Sequence, residues 1–419
     1  MVENVYVSGM GILSPLGMDL PEHINGLKEQ KCGISFTPGK KKHQFLDAAG
    51  YIPKFKPKKY IENSKSVRYM TPQVIYGVIS ANFALQDSNI TKEMIHAAPV
   101  DTGIVYGVSI HMDIFESVDI YLPCIQEDES MDLDLLTSET YRYLPPLWVV
   151  PRLGNSVAGQ ISIENAIKGL NYSIEAGGNN GFLAIGESFE AILDGRAKRM
   201  ICGGAESYPA ILPVYKTMVR KLSSFTENDS RPFDSGSQGF IMSEAGVSMI
   251  LESEAEIDKR GGKKYARVAG YSNHFIPEIK DIPLEKLARY YEKSMALCLE
   301  QSNMDPSDVD FVQACGCGLP WMDEAEALAI RNLFGSRTPV TSIAGSVGYA
   351  SGTSGALSAA YGLLQMDNGF IAPILRSETL FFQDELDFVT GGCREAEPKS
   401  FLCNCFDFIG NTGSLLFVK

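Results

Sequence analysis

The sequence predicts an α/β protein in which a sheet is covered by helices. Three observations carry this. Short β-branched runs alternate with stretches of helical periodicity from the N-terminus to about residue 207. The same alternation resumes beyond about residue 260. The chain has 419 residues, 45% apolar and 21% charged, which is the composition of an ordinary globular protein with length for a sizeable core. That length fits two or three domains, or one large duplicated unit.

The elements follow in order. "NVYVSGM" opens as a strand, "SVRYMTPQVIYGVISANFALQDS" has helical periodicity, and "DTGIVYGVS" is again a strand. The run "LNYSI" then reaches the turn Ala176, Gly177, Gly178, Asn179, Asn180 and Gly181, and the helical "GFLAIGESFEAILDG" starts at once. Strand, sharp turn and helix is the geometry that lifts a nucleophile over a sheet near a helix N-terminus. No side chain in this turn can attack a thioester. "AKRMICGGAES" is the next strand, and "GFIMSEAGVSMILES" reads as two strands around a glycine turn.

The charged, glycine-containing "EAEIDKRGGKK" marks a link near residue 260, giving halves 1–258 and 259–419. The second half repeats the grammar: strand "YARVAGY", amphipathic helix "PLEKLARYYEKSMALCLEQS", strand "VDFVQACG", helix "MDEAEALAIRNLFG", helix "ALSAAYGLLQMDNG", then the strands "KSFLCNCFDF" and "GSLLFVK". Each half closes on two strands joined through a Gly-containing turn, which predicts an internal duplication. The irregular "IQEDESMDLDLLTSETYRYLPPLWVVPRLGNS" is acid-rich, then aromatic, and is expected at a subunit or ligand surface rather than in the core.

Charge and cysteine usage exclude several classes. Lys and Arg number 37 and Asp and Glu 51, for a net charge of −14. That argues against nucleic acid and against an anionic membrane surface as partners. The start has neither the basic region nor the apolar run of a signal peptide, and no apolar run approaches the ~18 residues of a membrane span. Nine cysteines, an odd number, read as reduced thiols of a cytoplasmic protein, with Cys202 packed as a small hydrophobe. The pairs Cys315/Cys317 and Cys403/Cys405 lack CxxC spacing and a nearby histidine, so no metal and no cofactor is expected.

The order of these pieces resembles the β-ketoacyl synthase family. The matching segments are "VYVSGMGILSPLG", "GNSVAGQISI", "RPFDSGSQGFIMSEAGVSMILE", "TPVTSIAGSVGYASGTSGAL" and "NCFDFIGNTGSLLF", spread over nearly the whole chain. The resemblance implies a thiolase-like αβαβα five-layer fold, internally duplicated. It also implies a chemistry: an active member loads an acyl group on a cysteine and decarboxylates a malonyl thioester. That chemistry needs a low-pKa thiolate at a helix N-terminus, two imidazoles and a lysine. Anchoring on "AIGE" places Gly178 at the cysteine, Cys315 at the first histidine, Ala344 at the lysine and Tyr349 at the second histidine. The five histidines, His23, His43, His96, His111 and His274, lie outside these segments. Asp323 and Glu326 are kept in "PWMDEAEA", where the first turn of a helix favours carboxylates.

Four altered positions on an intact scaffold are similar to the chain-length factor of type II polyketide synthases, the inactive partner of the ketosynthase. In that subfamily the cysteine position is usually glutamine, and here it is Gly178. The resemblance implies a heterodimer with an active ketosynthase, whose acyl tunnel this chain caps, setting polyketide length. Met112, Asp113, Glu116 and Ile120 are the expected tunnel residues, with Val150 a weaker candidate. Each acetate unit lengthens the product by about 2.5 Å, so one larger side chain stops growth a unit or two earlier. Phe406 and Phe408 match the aromatic pair of the family's gating loop, with plain packing the other reading. Arg152 faces either the partner or solvent. Tyr349 either fills the space of a lost histidine or donates a hydrogen bond into a residual cavity. The acyl carrier protein of such systems is acidic, so its docking is expected mainly on the active subunit. The alternative function is an independent acyltransferase or decarboxylase using Cys315 or Cys317.

Overall fold

A computed structural model describes residues 4–36, 48–109, 120–144, 147–207, 230–277, 279 and 282–419. The first half supplies strands β1 (Val5–Leu13), β2 (Thr102–Val108), β3 (Asn171–Ile174), β4 (Arg199–Glu206) and β5 (Ala245–Ser253). The second supplies β6 (Ala266–Phe275), β7 (Phe311–Gln313), β8 (Pro339–Thr341), β9 (Asp387–Phe388), β10 (Ser400–Phe406) and β11 (Asn411–Val418). Their order across the sheet is β9-β8-β7-β10-β11-β6-β1-β5-β4-β2-β3. In the first half it is β3-β2-β4-β5-β1, and β8-β7-β10-β11-β6 repeats it strand for strand. Parallel and antiparallel pairings repeat as well. The halves meet where β1 pairs with β6 through Tyr6–Arg267 and Val7–Ala266. The duplication is therefore in the topology.

Alternation along the strands divides the core into three apolar layers. On β4, Met200 and Cys202 face one layer while Ile201 and Ala205 face another. On β10, Phe401, Cys403 and Cys405 face the shared central layer while Leu402 faces the outer layer of the second half. A period of two on strands buried on both faces has this outcome. Helices α1 (Pro72–Asp87) and α2 (Ser156–Asn165) cover the first half, and α4 (Leu284–Ser302) and α5 (Pro320–Phe334) cover the second. Packed in the central layer shared by the two halves of the sheet are α3 (Asn180–Leu193) and α6 (Ser354–Asp367). This is the α/β, five-layer thiolase-like arrangement.

Sequence explains the elements locally. On α1, Pro72 occupies the first turn and Thr71 accepts the Val74 N–H at 3.4 Å. On α4 the buried Leu287, Ala288, Tyr291, Met295, Cys298 and Leu299 recur at helical spacing, leaving a charged outer face. By contrast α6 is buried almost throughout, consistent with its small and apolar "SGALSAAYGLLQ".

One expected hairpin is absent. Only Ala245–Ser253 of "GFIMSEAGVSMILES" is a strand, because β1 and β4 already occupy both edges of β5. The preceding residues cross the molecule instead, where Met242 bridges Tyr349 and Ser243 bridges Gly50. The link near residue 260 is a helix, Glu254–Arg260, closed by Gly261 at φ +63°. Position 258/259 falls inside it. Residues 122–144 and 147–153 form short helices and turns that leave Leu122, Leu133, Tyr143, Leu147 and Leu153 exposed. Among the described residues, no helix is long and apolar enough to cross a membrane.

Candidate functional site

The turn between β3 and α3 is built for position and carries no reactive side chain. Gly177 takes φ +87°, a left-handed value that glycine adopts without strain. The two asparagines pin the turn: Asn180 donates to the Val108 carbonyl at 2.7 Å and Asn179 to the Cys405 carbonyl at 2.9 Å. Gly178 is buried and donates its N–H to Asp407 Oδ2 at 2.8 Å. A Cβ placed on Gly178 would lie 2.5 Å from Asp407 Cβ and 2.7 Å from Tyr349 Oη. No side chain fits there without displacing both neighbours.

Tyr349 fills that space. It is 4% exposed, and its ring packs 4.7 Å from Phe240 and 6.5 Å from Phe408. Its backbone is held on both sides, donating to Ile241 O at 2.7 Å and accepting from Ser243 N at 3.0 Å. Ala344 is buried and opens a single helical turn, Ala344–Val347. Its methyl presents no charge where the resemblance places a lysine.

Cys315 is half-buried and donates its thiol to the Phe406 carbonyl at 3.3 Å. The loop around it, with Gly316 at φ +41° and Gly318 at φ +95°, hangs on two carboxylates from α5. Glu326 accepts the Cys315 and Gly316 N–H groups, each at 2.9 Å, and the Asn404 amide at 3.0 Å. Asp323 accepts the Gly318 N–H at 2.9 Å and the Phe233 N–H at 2.8 Å. Burial pushes Asp323 up to about 7 and raises Glu326 as well. Both are kept as buried clamps for this loop, a stronger reason than the helix dipole expected from sequence.

The Cys317 thiol lies well above its ordinary value, first through its hydrogen bond with the Cys315 thiol and then through burial. Burial likewise holds Cys403 and Cys405 as thiols. All nine cysteines are free, and among the described residues no group of three His, Cys, Asp or Glu side chains is placed to hold a metal.

The four positions thus converge. Tyr349 abuts Gly178, and Cys315, Ala344 and Tyr349 line one cavity with Ser354, Ser358 and Cys405. That cavity measures about 10 Å³ and has no histidine or lysine in its lining. A space of this size holds at most about one water molecule. The buried His23 serves the core instead, between Ile12 O at 3.1 Å and Tyr361 Oη at 3.0 Å, with burial pushing it down to about 4.

Other expected residues are scattered. Ile120 is buried and Val150 exposed. Met112, Asp113 and Glu116 lie outside the described residues. Phe406 belongs to the end of β10 and stacks on Tyr291 at 3.9 Å, whereas Phe408 sits on the turn beside Phe240. Arg152 donates to the Trp148 carbonyl and lies 5.2 Å from its ring. Sequence reasoning missed Asp407, whose side chain also accepts the Ile409, Gly410 and Asn411 N–H groups. The signal was an aspartate placed just before the Gly-Asn turn of "FDFIGN". Phe240 gave no signal, since it meets Tyr349 only through the crossing that replaced the hairpin.

Repeated strand order, a shared central helix layer and a strand–turn–helix pedestal define a thiolase-like ketosynthase fold. Family sequence models agree: "Beta-ketoacyl synthase, N-terminal domain" matches residues 2–256 and "Beta-ketoacyl synthase, C-terminal domain" matches 266–378. The chain belongs to the β-ketoacyl synthase family. Among its relatives is 3-oxoacyl-[acyl-carrier-protein] synthase 2 of Vibrio harveyi, 27% identical over 430 residues, covering 99% of this chain and 98% of that one. Among the solved structures that share the fold, the ishigamide ketosynthase/chain length factor superposes with a TM-score of 0.86 at 21% identity, covering 100% of both chains. A type II PKS acyl-carrier protein in complex with its ketosynthase bound to the hexaketide gives a TM-score of 0.80 at 22% identity, covering 100% of this chain and 99% of that one.

Proposed function

We propose that this chain is a non-catalytic, chain-length-factor subunit that pairs with an active ketosynthase in type II polyketide biosynthesis and shapes its acyl tunnel. The observation that carries the reading is the contact between Tyr349 and Gly178, which occupies the place a nucleophile would need. The cavity of about 10 Å³ supports it, being far smaller than an acyl chain requires. A partner is supported by the exposed Leu122, Leu133, Tyr143, Leu147 and Ile163, and by β3, which pairs on one side only among the described residues. Residues 1–258 and 259–419 act as one scaffold in this reading, and the carrier protein delivers its cargo mainly through the active subunit. The raised Cys317 thiol weighs against an independent acyltransferase.

Co-expression with a ketosynthase that retains cysteine, two histidines and lysine tests the pairing. The expected result is co-purification, polyketide only from the pair, and a shorter product with Ile120→Trp. An acyl adduct trapped on the isolated chain at the rate of biosynthesis would overturn the reading.

A further inference from the structure

We propose that a cleft lined by Lys58, Lys59 and Lys92 binds a small organic phosphate, at a site separate from the Gly178–Tyr349 centre. The chain carries −14 overall, yet residues 54–68 hold Lys54, Lys56, Lys58, Lys59, Lys65 and Arg68 against Glu62 alone. Like charges crowded in one short segment repel one another unless an anion joins them. Lys58 and Lys59 share the single turn Pro57–Lys59 and are exposed, and neither forms an ion pair among the described residues.

Beside them opens a cleft of about 820 Å³. Small-molecule sites occupy roughly 300–1,000 Å³. Its walls include Tyr60 and Phe83, and the buried Leu85, Ile90 and Ile95 also line it. The walls are fixed before any ligand arrives. Asn82 donates to the Tyr60 carbonyl at 3.0 Å, Asn165 donates to Asn82 at 3.1 Å, and the Glu62 N–H reaches Glu164 at 2.6 Å. Lys92 pairs at 2.7 Å with Glu62, a largely exposed carboxylate that a phosphate can replace.

Lys58 and Lys59, both lining the cleft, supply two positive charges for a phosphate dianion, which lysine binds as a point charge. The apolar lining takes the organic body. A concave site of this volume favours a small molecule over a flat protein face. The last turn of α1 lines the cleft, whereas Gln73 in its first turn meets Ala205 and Glu206. Helix α1 has 16 residues and so spans roughly 24 Å, and the cleft at its far end shares no lining residue with the cavity of Cys315, Ala344 and Tyr349.

Calorimetric titration of the full chain with octyl phosphate, inorganic phosphate and octyl glucoside tests this. Octyl phosphate is expected to bind about tenfold or more tighter than either other probe, and Lys58→Ala/Lys59→Ala to weaken it by about tenfold. Lys54→Ala/Lys56→Ala, on the same strip but outside the cleft, should leave it unchanged. Equal losses in both double variants would mean diffuse attraction and overturn the proposal. So would absence of octyl phosphate binding, including the case where an acidic protein such as a carrier binds the strip instead.

Discussion

Two neighbouring regions behave oppositely. Around residues 315–318 the polar groups that hold backbone are intact: Glu326 and Asp323 still accept N–H groups from the loop and from Phe233. A short distance away Gly178, Ala344 and Tyr349, which the sequence resemblance sets against the family's nucleophile, lysine and second histidine, are packed shut. A side chain that satisfies buried backbone cannot be lost without leaving donors unpaired inside the protein. One that serves only a reaction can be replaced by whatever fills its volume. The contrast separates architecture from chemistry within a single site.

Removing a clamp should break that contrast most violently. Glu326→Ala strands the Cys315 and Gly316 N–H groups and the Asn404 amide in a buried space, and a destabilisation of about 3–5 kcal/mol is expected in urea unfolding. Glu326→Gln, which keeps one acceptor oxygen but sets an amide NH2 against the remaining donor, should recover only part of it. A Glu326→Ala protein as stable as the parent would remove the clamp from the account.

The second effect is a pH dependence. Folded Asp323 keeps its proton up to about pH 7, against an ordinary 3.8 when unfolded. Between those values the folded state binds more protons, so this residue's contribution falls as pH rises, by up to about 1.4 kcal/mol per pH unit, and is flat above. Asp323→Asn should flatten that decline in unfolding measured from pH 4 to 8. Identical slopes in parent and variant would refute it.

The smallest effect sharpens the other side. Gly178→Cys should destabilise by about 1–3 kcal/mol through overlap with Asp407 and Tyr349. Adding Tyr349→Ala should return part of that loss, a coupling that a double-mutant cycle reads directly. Independent, additive effects would show that Tyr349 does not occupy the nucleophile's place.

Much of this was legible in the chain. Alternation gave the strands, and the glycines and asparagines of 176–181 gave the turn. Motif order also singled out Gly178, Cys315, Ala344 and Tyr349, which the structure brings close together. What escaped depends on contacts distant in sequence. The hairpin expected at 239–253 failed because β1, from the far N-terminus, takes one edge of β5. Asp407 reaches Gly178 across a separation of 229 residues. The role of Asp323 was misjudged because a helix-end position is visible in sequence, whereas burial against Phe233 is not.

The helices α3 and α6 have a last consequence. They serve as common floor to both halves of the sheet, so Met200 and Val247 of one half share a layer with Phe401 and Leu415 of the other. Neither half can melt while the other keeps its floor dry. Because this buried layer is shared, melting one half would expose apolar surface of the other, and the two halves are expected to unfold together rather than piece by piece.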